Sequence, residues 1–384
     1  MATGALSFAV RGRAGEEEAE IARALGAAHA EVRRPAAALV FACGPLAARL
    51  EQVAAAVARA TPGTPALVVS GAGVLSEQGA LEGESAATGV VWSGGEASVL
   101  TTDAATPDEL GEALARQLGD RVGRTAPTVL VFLRSNGVDP SALEPLRITR
   151  GTGHLFGAGV IGTPGALAID ARGHIATGGA VSLILRGAPP PLIRTSAACR
   201  LLGPLQTITE TRGSMVVRLG GEPALDVLTA AGESLHGQPL VLAAVADEAA
   251  PGEAAGRPPL VLRGIEGVDP SRRAIVVSDE LREGMRLGFA VRDAAAARAD
   301  LEATVRELKR ELAGAVPRFG LYLDCAGRGP ALYGAPDVDL RVLRAGLGEL
   351  PLAGMRSAFE LAPLSGRPAL HLYTGVIALF TSPS

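Results

Sequence analysis

Hydrophobic positions along the chain fall in short blocks separated by glycine-rich turns, and these blocks alternate with stretches of helical spacing. Residues 16–30 set Ile21 and Leu25 four apart behind a run of glutamates, which predicts an amphipathic helix with negative charge at its N-terminal end. Residues 36–42 then read as a buried strand, 45–60 as an apolar helix, and 65–69 as a second strand stopping at Ser70-Gly71-Ala72-Gly73. A third strand, 89–92, follows a polar stretch that holds Glu77, Glu82 and Glu84.

The same order recurs twice. Residues 128–133 form a predicted strand ending at Ser135-Asn136-Gly137, followed by the helix-compatible 140–146, which Pro145 interrupts, and then by the apolar runs 155–159 and 180–185. Near the C-terminus, 319–323 ends at Cys325-Ala326-Gly327, 337–347 has helical spacing, 350–354 is the second short element, and 374–380 the closing strand. The pattern predicts three copies of strand, turn, helix, short strand and strand, with Cys43, Ser135 and Cys325 equivalent just past the first strand of each. Convergent strand ends with glycine-rich turns are where open α/β sheets place ligands, because the backbone N–H groups there are accessible.

The region 212–293 differs. Its apolar runs 216–219, 239–245, 260–264, 274–278 and 285–291 predict added antiparallel sheet, with 250–259 as a loop. Residues 294–314 predict a helix with Leu301, Val305, Leu308 and Leu312 on one face and Glu307, Glu311, Lys309 and Arg310 on the other. The overall expectation is an α/β, mixed α+β protein of 384 residues, enough for two or three structural units.

Composition removes several functions. Hydrophobic residues are 48% and charged residues 20%, and the net charge of −4 with only twelve aromatics (Trp 1, Tyr 3, Phe 8) offers no surface for nucleic acid or an anionic membrane. Lys309 is the single lysine, so there is no Gly-Lys pair for a Walker loop and poor material for Schiff-base chemistry. Cys43, Cys199 and Cys325 are widely spaced and odd in number, which suits neither a disulfide framework nor a thiolate metal site and fits a reducing compartment. The N-terminus lacks the apolar run of a secretory signal, so the expectation is a cytoplasmic protein with no cofactor and no metal.

The most distinctive segment is Asp324-Cys325-Ala326-Gly327-Arg328-Gly329-Pro330. Its turn amides and the Arg328 guanidinium suit a carboxylate or phosphate. Equally, the glycines supply positive φ, Cys325 packs as a small hydrophobe, and Arg328 pairs with Asp324 or another carboxylate. Cys325 with His371 as base would make a thiol-dependent enzyme, if their side chains meet and the thiol pKa is depressed. His371 alternates with Leu370 and Leu372 and reads equally as a buried strand histidine. Asp337 and Asp339 are compatible with a metal, but Asp337 after Pro336 reads as a helix cap. Gly151-Thr152-Gly153 and Gly157 do not match the spacing of a dinucleotide loop.

From Cys325-Ala326-Gly327-Arg328-Gly329, through Pro351-Leu352-Ala353-Gly354 and Glu360, to His371-Leu372-Tyr373-Thr374-Gly375, the chain resembles the C-terminal half of FIST-domain proteins. Upstream, Leu39-Val40-Phe41, Gly157-Ala158-Gly159, Gly179-Ala180-Val181, the run Thr207 to Ser214 and Glu222-Pro223-Ala224-Leu225 resemble the N-terminal half. It departs from that pattern at Met355 to Phe359, where Phe359 replaces a glycine before the glutamate. The resemblance implies an N-terminal helical extension (1–34), a FIST N domain (35–222) and a FIST C domain (223–384). It further implies a stand-alone sensor of a small anionic or zwitterionic molecule, such as an amino acid, with an unknown protein partner. Its candidate ligand-binding residues are Asp324, Cys325, Gly327, Arg328, Gly329, Gly354, Glu360, His371 and Tyr373. Arg328 and the turn amides would take the carboxylate, and Glu360 or Asp324 the ammonium. A protein-interaction scaffold is the remaining alternative.

Overall fold

A computed structural model of the chain describes residues 4–13, 15–120, 126–136, 138, 140–149, 154–233, 235, 240–246 and 260–382. The fold is mixed α+β, and three six-stranded sheets in it follow one plan. In each, a first strand pairs in parallel with a second and antiparallel with a last strand, which pairs in turn with an outer strand. These sets are Pro35–Cys43 with Ala66–Ser70, Ala86–Ser93 and Ala5–Arg11; Thr128–Arg134 with Leu155–Val160, Ala180–Arg186 and Glu96–Thr102; and Pro317–Cys325 with Leu352–Ser357, Thr374–Thr381 and Leu192–Ala197. The first strands are near-continuous apolar runs because both their faces are covered.

Each sheet is completed by a hairpin from another copy. Gly73–Ser76 with Gly79–Glu82, from the first copy, extends the third sheet. Ala166–Ile169 with Ile175–Thr177, from the second, extends the first, and Glu360–Leu364 with Arg367–His371, from the third, extends the second. This cyclic exchange welds the copies together. Their inner faces share one core in which Phe41 meets Phe132 edge-on at 5.9 Å and Phe319 stacks on Phe380 at 4.3 Å. Helices cover the outer faces: Glu17–Glu31 and Leu50–Ala60 the first, Pro107–Gly119 and Glu144–Ile148 the second, Ala294–Leu312 and Val338–Leu347 the third.

Between the outer strand Leu192–Ala197 and helix Ala294–Leu312 the chain inserts a closed sheet. Val241–Ala246, Arg286–Arg292, Gln206–Arg212, Met215–Leu219, Ala274–Val277 and Val261–Asp269 pair in that order and return to Val241–Ala246. Ile208, Val216, Val245, Ile275 and Leu287 fill it. Among the described residues no helix is long and apolar enough to cross a membrane.

The three-copy pattern read from the sequence is present in the sheets. Its register needs one correction: the strand alternation that turns Leu39, Phe41 and Cys43 inward in the first copy, and Leu321 and Leu323 in the third, does the same for Leu130 and Phe132 in the second. Arg134, not Ser135, therefore shares the register of Cys43 and Cys325. The N-terminal extension is more than a helix, because Ala5–Arg11 is the outer strand of the first sheet. Residue 222, where the boundary was expected, lies in Glu222–Pro223, which pairs inside the inserted sheet. The expected loop 250–259 and Gly151-Thr152-Gly153 lie outside the described residues.

Candidate functional site

The third copy's first strand ends at Asp324 and Cys325, and the chain turns through residues 326–329 into the short helix Pro330–Tyr333. Gly329 has a positive φ of 63°, and a Cβ there would lie 2.4 Å from the Arg356 guanidinium, so glycine is required. Arg328 points inward and is fully buried. Its Nε and Nη2 donate to the two oxygens of Asp339 at 2.8 and 3.1 Å, Nη1 to the Ser196 carbonyl at 3.0 Å, and Nη2 also to the Tyr333 hydroxyl at 3.0 Å. Tyr322 and Tyr333 donate to the same Asp339 at 2.9 and 2.8 Å. Burial raises the Asp339 carboxyl, but the guanidinium and these hydrogen bonds outweigh it and hold the pKa below its ordinary value. Arg328 is thus the centre of an internal ion pair, with four of its five N–H donors engaged.

A second cluster lies beside it. Asp324 accepts from Arg356 Nη1 at 2.6 Å, and Arg356 also pairs with Glu82 of the borrowed hairpin. Ser357 Oγ lies 2.9 Å from the Asp324 carbonyl and 2.8 Å from Glu360 Oε1. The serine has one proton, so when it donates to the carbonyl the glutamic acid must donate to it. Burial supports that protonation, since it pushes the fully enclosed Glu360 carboxyl well above its usual range despite the opposing Ser357 contact. Burial likewise raises Asp324 to about 7, against the pull of Arg356. Among the described residues, Glu360 Oε2 and Asp324 Oδ1 have no hydrogen bond of ordinary geometry, although the Thr374 amide lies near enough to Glu360 to oppose part of the rise in its pKa.

Cys325 sits between these carboxyls and the surface, its thiol pushed up to about 12 by burial and by Glu360. Above it are Gly327, Tyr373 and Arg292. A Cβ on Gly327 would lie 3.4 Å from the Tyr373 ring, 3.5 Å from the Cys325 sulfur and 3.6 Å from Arg292 Nη2. Arg292 stacks over Tyr373 at 5.6 Å and donates to the Gly327 carbonyl, while its buried Nε has no acceptor among the described residues. Arg292 ends a strand of the inserted sheet and was not singled out in the sequence. Only its position as the last residue of an apolar run, beside Asp293, hints at it.

The structure therefore gathers Asp324, Cys325, Gly327, Glu360 and Tyr373. His371 is placed elsewhere: it faces the Ala362 carbonyl at 3.2 Å, and burial, with a smaller push from Arg263, lowers its pKa to about 4. No described contact joins it to Cys325, and a thiol pKa pushed up with an imidazole pKa pushed down is the reverse of an activated pair. Gly354 serves packing, since a Cβ there would lie 1.8 Å from the Tyr322 carbonyl oxygen. Phe359 turns away from Glu360 onto Gly159, whose missing side chain makes room for the ring. Asp337 holds the N-cap position of its helix, but its carboxylate makes no capping bond and accepts instead from the Ala80 amide at 2.8 Å.

Three sheets with exchanged hairpins and an inserted closed sheet make up the fold, and family models match nearly the whole of it. The FIST N domain matches residues 36–222 and the FIST C domain residues 226–363, so the chain belongs to the FIST-domain family, whose domains are associated with sensory signal transduction. Among curated relatives, it is 36% identical over 224 residues to the uncharacterized protein Mb0898c of Mycobacterium bovis, covering 54% of this chain and 55% of that protein. It is also 36% identical over 215 residues to the uncharacterized protein MT0656 of Mycobacterium tuberculosis, with the same coverage, so the chain spans about half the length of the curated relatives it matches.

Proposed function

We propose that the protein is a cytosolic sensor of a small zwitterion, of the amino acid or related small-carboxylate class, bound at the Cys325–Glu360 cluster, and that occupancy is passed to a protein partner. One observation carries this reading: Glu360 Oε2, Asp324 Oδ1 and Arg292 Nε are each buried without a hydrogen-bond partner among the described residues, the two carboxyls acting on the Cys325 thiol and Arg292 lying with that thiol beside Gly327. A buried polar atom without a partner costs about 1–3 kcal/mol. A ligand ammonium facing the two carboxyls and a ligand carboxylate facing Arg292 would recover that free energy. In this arrangement Arg292 takes the part expected of Arg328, whose donors are engaged by Asp339. Tyr373 and Gly327 would form the cover that moves on entry. Tyr373 is held at a positive φ of 51°, an uncommon conformation for a non-glycine residue.

Because burial favours the neutral form of Glu360 in the empty site, ammonium binding would release its proton, so affinity rises with pH. Thermal-shift screening of amino acids and small carboxylates, followed by calorimetry, tests the reading. A ligand at 100 times its Kd adds about 2.7 kcal/mol of stability, and Glu360→Gln and Arg292→Ala should each weaken it at least tenfold. Unchanged affinity in both variants rejects the site. A screen with no response at any ligand would favour the scaffold alternative.

A further inference from the structure

A cavity of about 270 Å³ lies where the inserted sheet, the second copy's short helix Glu144–Ile148 and the third copy's hairpin meet. Its walls include Arg147, Arg263, Asp279, Arg282 and Leu370. Arg263 is only 4% exposed. Its Nε donates to Asp279 at 2.6 Å and its Nη1 to the carbonyls of Leu262 and Leu370 at 2.9 and 3.0 Å, leaving Nη2 with no acceptor among the described residues. Arg147 pairs with Glu144 at 3.1 Å through Nη1, while its own Nε is buried and has no acceptor among the described residues. The two guanidiniums are close enough that Arg147 adds to the burial that lowers the Arg263 pKa. Asp279 and Glu144 each neutralise one of them, and Arg282 and Glu280 stand at the exposed rim.

We infer that this cavity is a binding site for a small oxyanion, a carboxylate or a phosphate, clamped between Arg147 and Arg263. The unfilled positions inside it are donors, and the buried Arg263 and half-buried Arg147 lie close enough to repel each other, which a negative group between them relieves. The planar fork of each guanidinium suits the paired oxygens of either anion. The inference goes beyond the Cys325–Glu360 reading and does not depend on it. The two places do share one hairpin, in which Glu360 pairs directly with His371, the neighbour of Leu370.

The test is differential scanning fluorimetry and calorimetry on the full chain, with sodium phosphate and sodium acetate as separate probes and potassium chloride at matched ionic strength as control. Phosphate or acetate should stabilise the protein where chloride does not, and whichever acts names the anion class. Arg147→Ala, at a position part-exposed enough to keep the fold, should weaken that binding at least tenfold, and Arg282→Ala about twofold. Glu360→Gln should leave it unchanged, which separates this site from the other. No response to either anion, or a response that survives in Arg147→Ala, overturns the proposal.

Discussion

Cys43 and Cys325 end equivalent strands of the first and third copies, yet their surroundings differ in kind. The Cys43 thiol is 3.5 Å from the carbonyls of Leu81 and Glu84, and burial pushes it up to about 11. Three residues on, Leu46 fills the turn with a buried apolar side chain. At the Cys325 end the neighbour is a carboxyl with an orphaned oxygen, and three residues on stands the buried guanidinium of Arg328. Equivalent strand ends thus lead once into a 3-10 helix, Gly44–Arg49, lined by carbonyls and leucine, and once into a turn lined by ionisable groups. The first copy closes its strand end without such charges, and in the third copy they hold one another: Arg328 is engaged by Asp339, Ser196 and Tyr333.

The largest expected effect falls on Arg328. Removing one member of a buried pair strands the other, so Arg328→Ala should cost about 3–5 kcal/mol in urea unfolding. Joint replacement of Arg328 and Asp339 by leucine should recover most of that loss, reproducing what Leu46 does in the first copy. A cost below about 1 kcal/mol for Arg328→Ala would break the comparison, since it would mean the pair does not hold the turn.

Next comes the strand crossing. Gly157 and Gly354 stand opposite Val131 and Tyr322, where a Cβ would lie 1.7 and 1.8 Å from a carbonyl oxygen, whereas the first copy carries Val68 at the matching place. Gly354→Ala and Gly157→Ala should each destabilise by about 1–3 kcal/mol, measured by thermal melting. Tolerance of either alanine would show that all three crossings have the same spacing.

The pH dependence sharpens the contrast further. A carboxyl whose pKa is raised by folding contributes stability below its unfolded pKa and loses it as pH rises. For Glu360, raised by burial, and Asp324, raised to about 7, the protein should lose stability from about pH 4 upward. Glu360→Gln should match the wild type near pH 4 and exceed it by about 1–3 kcal/mol at pH 8. Parallel curves for the two proteins would place Glu360 outside the titrating set. The smallest effect belongs to Cys43→Ala, about 1 kcal/mol or less, since it removes only weak thiol contacts. Iodoacetamide should label neither Cys43 nor Cys325 in the native protein at neutral pH, and rapid labelling of Cys325 alone would reveal an activated thiol.

Much of the fold was legible because its strands are continuous apolar runs punctuated by glycine, and because Leu301, Val305 and Leu308 repeat with helical spacing and are buried as that spacing predicts. The hairpin exchange was not legible. Gly79–Glu82 and Arg367–His371 look like local turns, and nothing in their own residues names the distant sheet they join. The cluster was half legible: Asp324, Cys325 and Glu360 stood out as chemistry-bearing residues near turns, while Arg292 lay in a different segment.

By itself the sequence determined the period of its elements, their threefold recurrence and the family to which it belongs. These follow from local spacing and composition, which act between neighbours along the chain. Only the tertiary structure decided that Arg328 turns inward to Asp339, that His371 faces a carbonyl instead of Cys325, and that Arg292 arrives over Tyr373. Which polar groups find partners depends on burial and on contacts across long loops, and those free energies exist only once the distant segments have met.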